Sequence, residues 1–227
     1  MKKQLITKIV SIVVALALGA TVMAAYYKDQ AAVTLFSGRV EPFGCGSADE
    51  DGPELLLEIA DKDAGQYCDI TKYGQSSFPI LTNVTDTKGT GELKDVNGRT
   101  PLVAPTFVLK ARGGDFDYLT AQIMMYGDMT TSEALKFGFT AKYYSADGTN
   151  YATSVGFLDS QEVDSATRCA KTECAALGGC LVDGGRIEIT ISAWVDSDIF
   201  LSNLNDEYKN DIVNVDVVFS GNPITQS

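Results

Sequence analysis

The chain has 227 residues, a formal net charge of −12 and no histidine. A surface this acidic repels phosphate backbones, which argues against nucleic acid as a partner. The lack of histidine excludes a Ser-His-Asp triad, a Cys-His dyad and an H-E-x-x-H zinc site, and we predict that the chain is not an enzyme.

Residues 1–25 have the pattern of a secretory signal peptide. Three lysines within the first eight residues precede an apolar run that ends in small residues. A basic segment, an apolar segment and a small-residue exit predict a signal helix that is removed on export, here at Ala24 or Ala25. One alternative is an uncleaved leader that anchors the chain to the membrane. A type IV pilin-like leader is a third option, which the lack of a glutamate after the Gly19 region argues against. Export places residues 26–227 outside the cytoplasm, secreted or at the cell surface.

The first predicted strand follows the cleavage site directly and ends at Gly38. Its alternating apolar positions are Ala31, Val33 and Leu35, and nothing precedes it covalently once the leader is cut. A free strand of this kind can add itself to the sheet of a neighbouring subunit, and head-to-tail repetition of that contact gives a filament. The alternative is that the strand pairs within its own domain.

Most of the remaining sequence is typical of β-strands. The segment 54–60 is too short to separate a strand from a helical turn, and 78–84 is predicted as a strand. Alternation with a period of two predicts strands at 106–112, 116–126, 135–144, 151–158, 186–195 and 212–219. Asp147-Gly148 predicts a hairpin turn. Turn signals between about eight to ten strands predict an all-β domain over residues 26–227, a jelly-roll or Greek-key β-sandwich.

The five cysteines are expected to form disulfides if the chain is exported. Cys45 and Cys68 would close a loop near the start of the domain. Two of the other three would close a tight loop within a long excursion from the sandwich, residues 159–183, which holds Cys169, Cys174 and Cys180. Spacing alone leaves the pairing open, and one thiol remains for a partner chain or for burial.

Three further patterns are candidates for ligand binding or modification. Five acidic residues are candidate calcium ligands: Asp49, Glu50, Asp51, Asp196 and Asp198. Acidic side chains that lie in loops and are solvated explain this pattern more simply. We therefore expect no resident cofactor. Aromatic residues are candidates for a carbohydrate-stacking platform at Tyr143, Tyr144, Tyr151 and Trp194, with cross-strand packing as the alternative. For Trp194, which lies on the more polar face of its strand, we favour a place at the edge of the core. Asn83-Val84-Thr85 matches a glycosylation sequon.

The two ends of the chain resemble the TasA/camelysin family of secreted β-sandwich proteins. The leader junction is similar in Ala25-Tyr26-Tyr27-Lys28-Asp29, and a strand and a glycine follow it at Ala32 to Gly38. Near the C-terminus, Ile189 to Asp196 resembles an I-x-I-x-x-W segment that ends in an acidic residue, and Val213 to Phe219 resembles the final strand. The resemblance implies a jelly-roll subunit of biofilm-matrix or surface fibres, often joined by donor-strand exchange.

The expected function is therefore an exported structural subunit that associates with copies of itself into an extracellular filament. Residues 26–37 are predicted to be the donor strand, and contact with the membrane is expected only through an uncleaved leader. The alternative is a monomeric binding module of the cell surface for glycan or calcium.

Overall fold

The structure is a computed structural model. In the part of the chain that it describes, alternating apolar and polar residues form fifteen β-strands. The described residues are 35–41, 52–59, 67–69, 78–127, 135–158, 161–164, 169–198 and 213–224. The short strands are β1 Leu35–Val40, β2 Glu54–Ile59, β3 Tyr67–Asp69, β4 Ile80–Leu81, β5 Thr85–Asp86, β6 Leu93–Lys94, β11 Gln161–Asp164, β12 Cys169–Thr172 and β13 Ala175–Ala176. The long strands are β7 Leu102–Arg112, β8 Phe116–Gly127, β9 Leu135–Tyr144, β10 Asn150–Leu158, β14 Arg186–Asp196 and β15 Val213–Pro223.

Two sheets form a β-sandwich, which confirms the predicted all-β fold class. Sheet A has the order β11-β12-β8-β15-β1-β3, with β13 also paired to β8. Sheet B has the order β10-β9-β14-β7-β2, with β4 also paired to β14. The first strand of the described residues therefore lies beside the last one, in the same sheet.

The core lies between the two sheets and follows directly from the period of two. In β8, β9 and β14, every second residue is buried in the core. The fully buried residues of β9, β14 and β15 include Phe137, Phe139, Ala141, Ile187, Ile189, Ile191, Val215, Val217 and Phe219. Burial of each large apolar side chain contributes about 1.5–3 kcal/mol, so these strands supply most of the driving force for folding.

The segment 78–100, which we call the lid, covers part of the outer face of sheet B. Leu93 of the lid is buried against Gly138 of β9, where an added Cβ would approach the leucine to 2.8 Å. Nearby, the hydroxyl of Thr140 donates a hydrogen bond of 2.8 Å to the carbonyl of Gly91. The predicted strand at 78–84 is therefore only the two-residue β4, and the lid is held mainly by its contacts with β9 and β14.

A buried carboxylate organises the turn at the end of the lid. Asp95 accepts hydrogen bonds from the backbone N–H groups of Asn97 (2.9 Å) and Arg99 (2.7 Å), and from the guanidinium of Arg99 (2.9 Å). Burial alone would raise the pKa of Asp95, but these hydrogen bonds and the charge of Arg99 outweigh it and hold the pKa below its usual value.

The region predicted as a loop excursion contributes strands to sheet A instead. Within residues 159–183, β12 and β13 both pair with β8 and extend the sheet beyond it. The predicted hairpin turn is confirmed, because Asp147 accepts a hydrogen bond from the backbone N–H of Thr149 and Gly148 has a φ of 85°.

Candidate strand-exchange site

Strand β1 occupies a slot between β15 and β3 in sheet A. It pairs in parallel with β15 along its whole length, from Leu35 opposite Asn214 to Val40 opposite Phe219. The backbone N–H of Glu41 extends this pairing by donating to the carbonyl of Phe219 at 2.8 Å. On the other side, β1 pairs with β3 over three residues, Leu35 to Ser37. Within the described part of the chain, the longer pairing of β1 is therefore with β15.

The inner face of β1 fits the core through a glycine. Gly38 is buried, and a Cβ added there would lie 2.7 Å from the ring of Phe107 and 3.1 Å from Leu57. Phe107 in turn contacts Phe219 of β15, with ring centroids 5.5 Å apart. The absence of a side chain at residue 38 therefore allows the strand to approach the aromatic core, which is a known use of glycine within strands.

The outer face of β1 is fastened to β15 by a polar cluster. The guanidinium of Arg39 forms an ion pair with the carboxylate of Asp216, whose side chain is 13% exposed. The hydroxyl of Ser37 donates a second hydrogen bond of 2.9 Å to the same carboxylate. Because a carboxylate this buried is costly without partners, these contacts favour one register of β1 against β15.

Arg39 also reaches beyond β15 to strand β8. Its Nη2 donates to the sulfur of Met124 at 3.2 Å, while its Nε contacts the carboxylate of Glu41 at 2.8 Å. Burial and the nearby Cys169 raise the pKa of Tyr126 on β8, whereas Arg39 acts in the opposite direction. One arginine thus connects three neighbouring strands of sheet A across their outer face.

The residues predicted for polymerisation lie only partly within the described chain. Leu35 lies in β1, opposite Asn214. Ala31 and Val33, like Ala24 and Ala25 at the predicted cleavage site, lie outside the described residues. The sequence analysis missed the residues that hold β1, namely Gly38, Arg39 and Asp216. The signals were present: a glycine between strand residues, and one charge of each sign on the first and the last strand.

The three described cysteine side chains are free thiols, so the predicted tight disulfide among them is not found. Cys169 lies opposite Tyr126, near one end of β8, whereas Cys180 precedes Leu181, which bridges Phe116 at the other end. Ten strand residues separate these ends by roughly 30 Å, and Cys174 lies between them. Disulfide formation needs Cα atoms about 4.4–6.8 Å apart. Cys45 lies outside the described residues, and Cys68 is described only in its backbone, within β3.

The candidate calcium ligands do not form a metal site in the described part of the chain. The carboxylate of Asp196 accepts a hydrogen bond of 2.9 Å from the backbone N–H of Asp198, as in a solvated turn. Among the described residues, no group of three or more cysteine, aspartate or glutamate side chains could hold a metal ion. Residues 49–51 lie outside them.

The candidate stacking aromatics do not share an exposed face. Tyr143 is 1% exposed and Trp194 is 5% exposed, so both are packed rather than presented to solvent. Trp194 lies edge-on to Phe157, with ring centroids 6.2 Å apart, which confirms its expected place at the edge of the core. Tyr144 instead lies under the guanidinium of Arg186, 4.3 Å from the ring centroid. Tyr151 is the exposed member of the set.

Comparisons with known proteins leave the family open. No protein-family model matches the chain, and no curated protein matches it. One similar solved structure is the family 3a carbohydrate-binding module from the cipA scaffolding of Clostridium thermocellum, at 13% identity and a TM-score of 0.30, covering 64% of this chain and 82% of that chain. A TM-score this low carries no argument about function. No helix within the described ranges has the length and apolarity to cross a membrane.

Proposed function

We propose that this chain is an exported structural subunit that polymerises into an extracellular filament or surface fibre. The observation that carries the proposal is the seating of β1, the first described strand, beside the last strand β15. In the filament, the slot beside β15 of each copy holds the first strand of the preceding copy.

In this exchange, β1 leaves its own sandwich and pairs with β15 and β3 of a neighbouring copy. We infer that the other strands keep their order when β1 is exchanged. The same contacts form within one copy or between two, as in domain swapping. Loss of β1 would uncover the edge of β15 from Asn214 to Phe219, and an open edge of an apolar strand is a template for pairing with another chain.

The contacts of β1 favour a donor strand that extends further than residues 26–37. Gly38 lies against Phe107 of the core, Arg39 forms the ion pair with Asp216, and Val40 packs against the core. We therefore extend the proposed donor strand through Val40. Its inner face supplies the fit to the core, and its outer face supplies the ion pair that selects the register.

A repeated head-to-tail contact of this kind is heterologous, because the donor strand of one copy meets a different surface of the next. A heterologous contact that does not close into a ring gives an open filament. The alternative of a glycan-binding module is not supported by the four aromatic residues predicted for it, because two of them, Tyr143 and Trp194, are buried.

Electron microscopy of the purified, cleaved protein tests this function directly. We expect fibres from the full mature chain, and a folded monomer without fibres when residues 26–40, the extended donor strand, are deleted. Circular dichroism of the deletion variant establishes that the sandwich is still folded. Fibres that persist after the deletion, or a mature chain that remains monomeric at high concentration, would contradict the proposal.

A further inference from the structure

We propose that Asn83 is the acceptor of an N-linked glycan on the exported protein. Asn83-Val84-Thr85 is the one N-x-S/T triplet in the sequence. The inference rests on the export that the proposed function requires, but it concerns a different site and a different chemistry. Such triplets often occur by chance, so the placement of this one in the fold decides whether it can be used.

Both reactive side chains of the triplet are exposed on the lid. Asn83 lies in the turn that follows β4, and Thr85 begins β5 opposite Lys94. Neither side chain forms a hydrogen bond with another described residue, whereas Val84 between them is half-buried. The carboxamide nitrogen and the threonine hydroxyl are therefore both accessible, while the middle residue holds the turn on the protein.

The local backbone at Asn83 has a left-handed conformation. Its φ is 50°, a left-handed conformation that asparagine adopts more readily than most residues. The preceding residue, Thr82, accepts a hydrogen bond at its carbonyl from the backbone N–H of Val96. This conformation is also a structural reason for an asparagine at this position. Asn83→Gly separates the two roles, because glycine keeps the turn and removes the acceptor.

The proposed reaction transfers an oligosaccharide from a lipid carrier to the side chain of Asn83. An oligosaccharyltransferase recognises the threonine hydroxyl, and the side-chain nitrogen of Asn83 attacks the anomeric carbon of a lipid-diphosphate-linked oligosaccharide. The new carbon–nitrogen bond replaces the bond from sugar to phosphate. The lipid diphosphate leaves, and the amide proton passes to a base of the transferase.

The site is also compatible with assembly. The lid covers the outer face of sheet B through Leu93 and Gly138, whereas the slot of β1 lies in sheet A. A glycan on Asn83 therefore projects from the opposite side of the sandwich and leaves the donor strand and the slot beside β15 free. The expected role of the glycan is to cover the lid face of the fibre.

Mass spectrometry of the peptide that contains Asn83, from protein isolated from the exported fraction of its source, tests the site. We expect a glycan mass on the wild-type peptide, its retention in Thr85→Ser, and its complete loss in Thr85→Ala, which keeps the asparagine. Asn83→Gly should also lose the glycan while forming fibres as the wild type does. An unmodified wild-type peptide, or a modified Thr85→Ala peptide, would overturn the inference without affecting the filament. Absence of the protein from the exported fraction would overturn both proposals.

Discussion

Replacement of Gly38 by valine should prevent β1 from entering its slot and abolish fibre formation. The added side chain would overlap the ring of Phe107, because even a Cβ at that position comes within 2.7 Å of it. Overpacking of a well-packed core costs about 1–3 kcal/mol, which we expect as the loss in free energy of unfolding. Chemical denaturation measures the stability, and electron microscopy measures assembly. Gly38→Ala should show the same effects to a smaller degree.

A second glycine provides the matched control for this prediction. Gly156 of β10 also faces the core, and a Cβ there would lie 2.4 Å from the ring of Phe139. Strand β10 belongs to sheet B, whereas β1 belongs to sheet A. Gly156→Val should therefore reduce stability at least as much as Gly38→Val, yet still form fibres at temperatures where it remains folded. Equal loss of assembly in the two variants would mean that assembly follows overall stability and not the slot.

Reversal of the charge at Arg39 should break the register of β1 and, with it, assembly. In Arg39→Glu the introduced carboxylate faces that of Asp216, which is mostly buried and would lose its ion pair. Leaving such a group without its charged partner costs about 1–3 kcal/mol. Asp216→Arg should have a similar effect, because two guanidinium groups would then face each other. The double variant Arg39→Glu/Asp216→Arg should recover both stability and fibres.

Mixing the two single variants distinguishes exchange between copies from pairing within one copy. The donor strand of Arg39→Glu complements the slot of Asp216→Arg. The unchanged donor strand of Asp216→Arg likewise complements the unchanged slot of Arg39→Glu. The mixture should therefore form fibres of alternating subunits although neither variant forms them alone. A mixture as inactive as its components would show that the ion pair acts only within a single chain.

The sequence was sufficient to predict the sandwich because each long strand carries its own signal. In β9 and β14, every second residue is apolar over ten or more positions, which predicts a strand with one apolar face in the core. The lid was less predictable, since its two-residue strands have no measurable period. Its position depends on single contacts such as that of Leu93 with Gly138, which only the packed structure brings together.

The cysteine region shows why spacing alone could not decide whether a tight disulfide forms. A separation of five or six residues allows a disulfide if the chain turns back on itself. Here the chain between Cys169 and Cys180 follows β8 from one end to the other, and each residue of extended chain adds about 3.3 Å. Likewise, Arg39 and Asp216 are far apart in the sequence, so their opposite charges were visible but their pairing depended on β1 lying beside β15.

The most direct test of strand exchange is a disulfide between two different chains. Leu35 and Asn214 are opposite each other in the register of β1 and β15, outside the ion pair and the glycine contact. One chain would carry Leu35→Cys and the other Asn214→Cys, both with the five native cysteines replaced by serine. Cα atoms of paired strands lie about 4.8 Å apart, within the range that a disulfide needs.

Fibres grown from an equal mixture and then oxidised should yield covalent pairs that contain one chain of each kind, identified by mass. A chain with both substitutions should close the disulfide internally when it is oxidised as a monomer, which establishes the register. Fibres that give no covalent pairs, although the doubly substituted monomer does close, would contradict strand exchange as the basis of assembly.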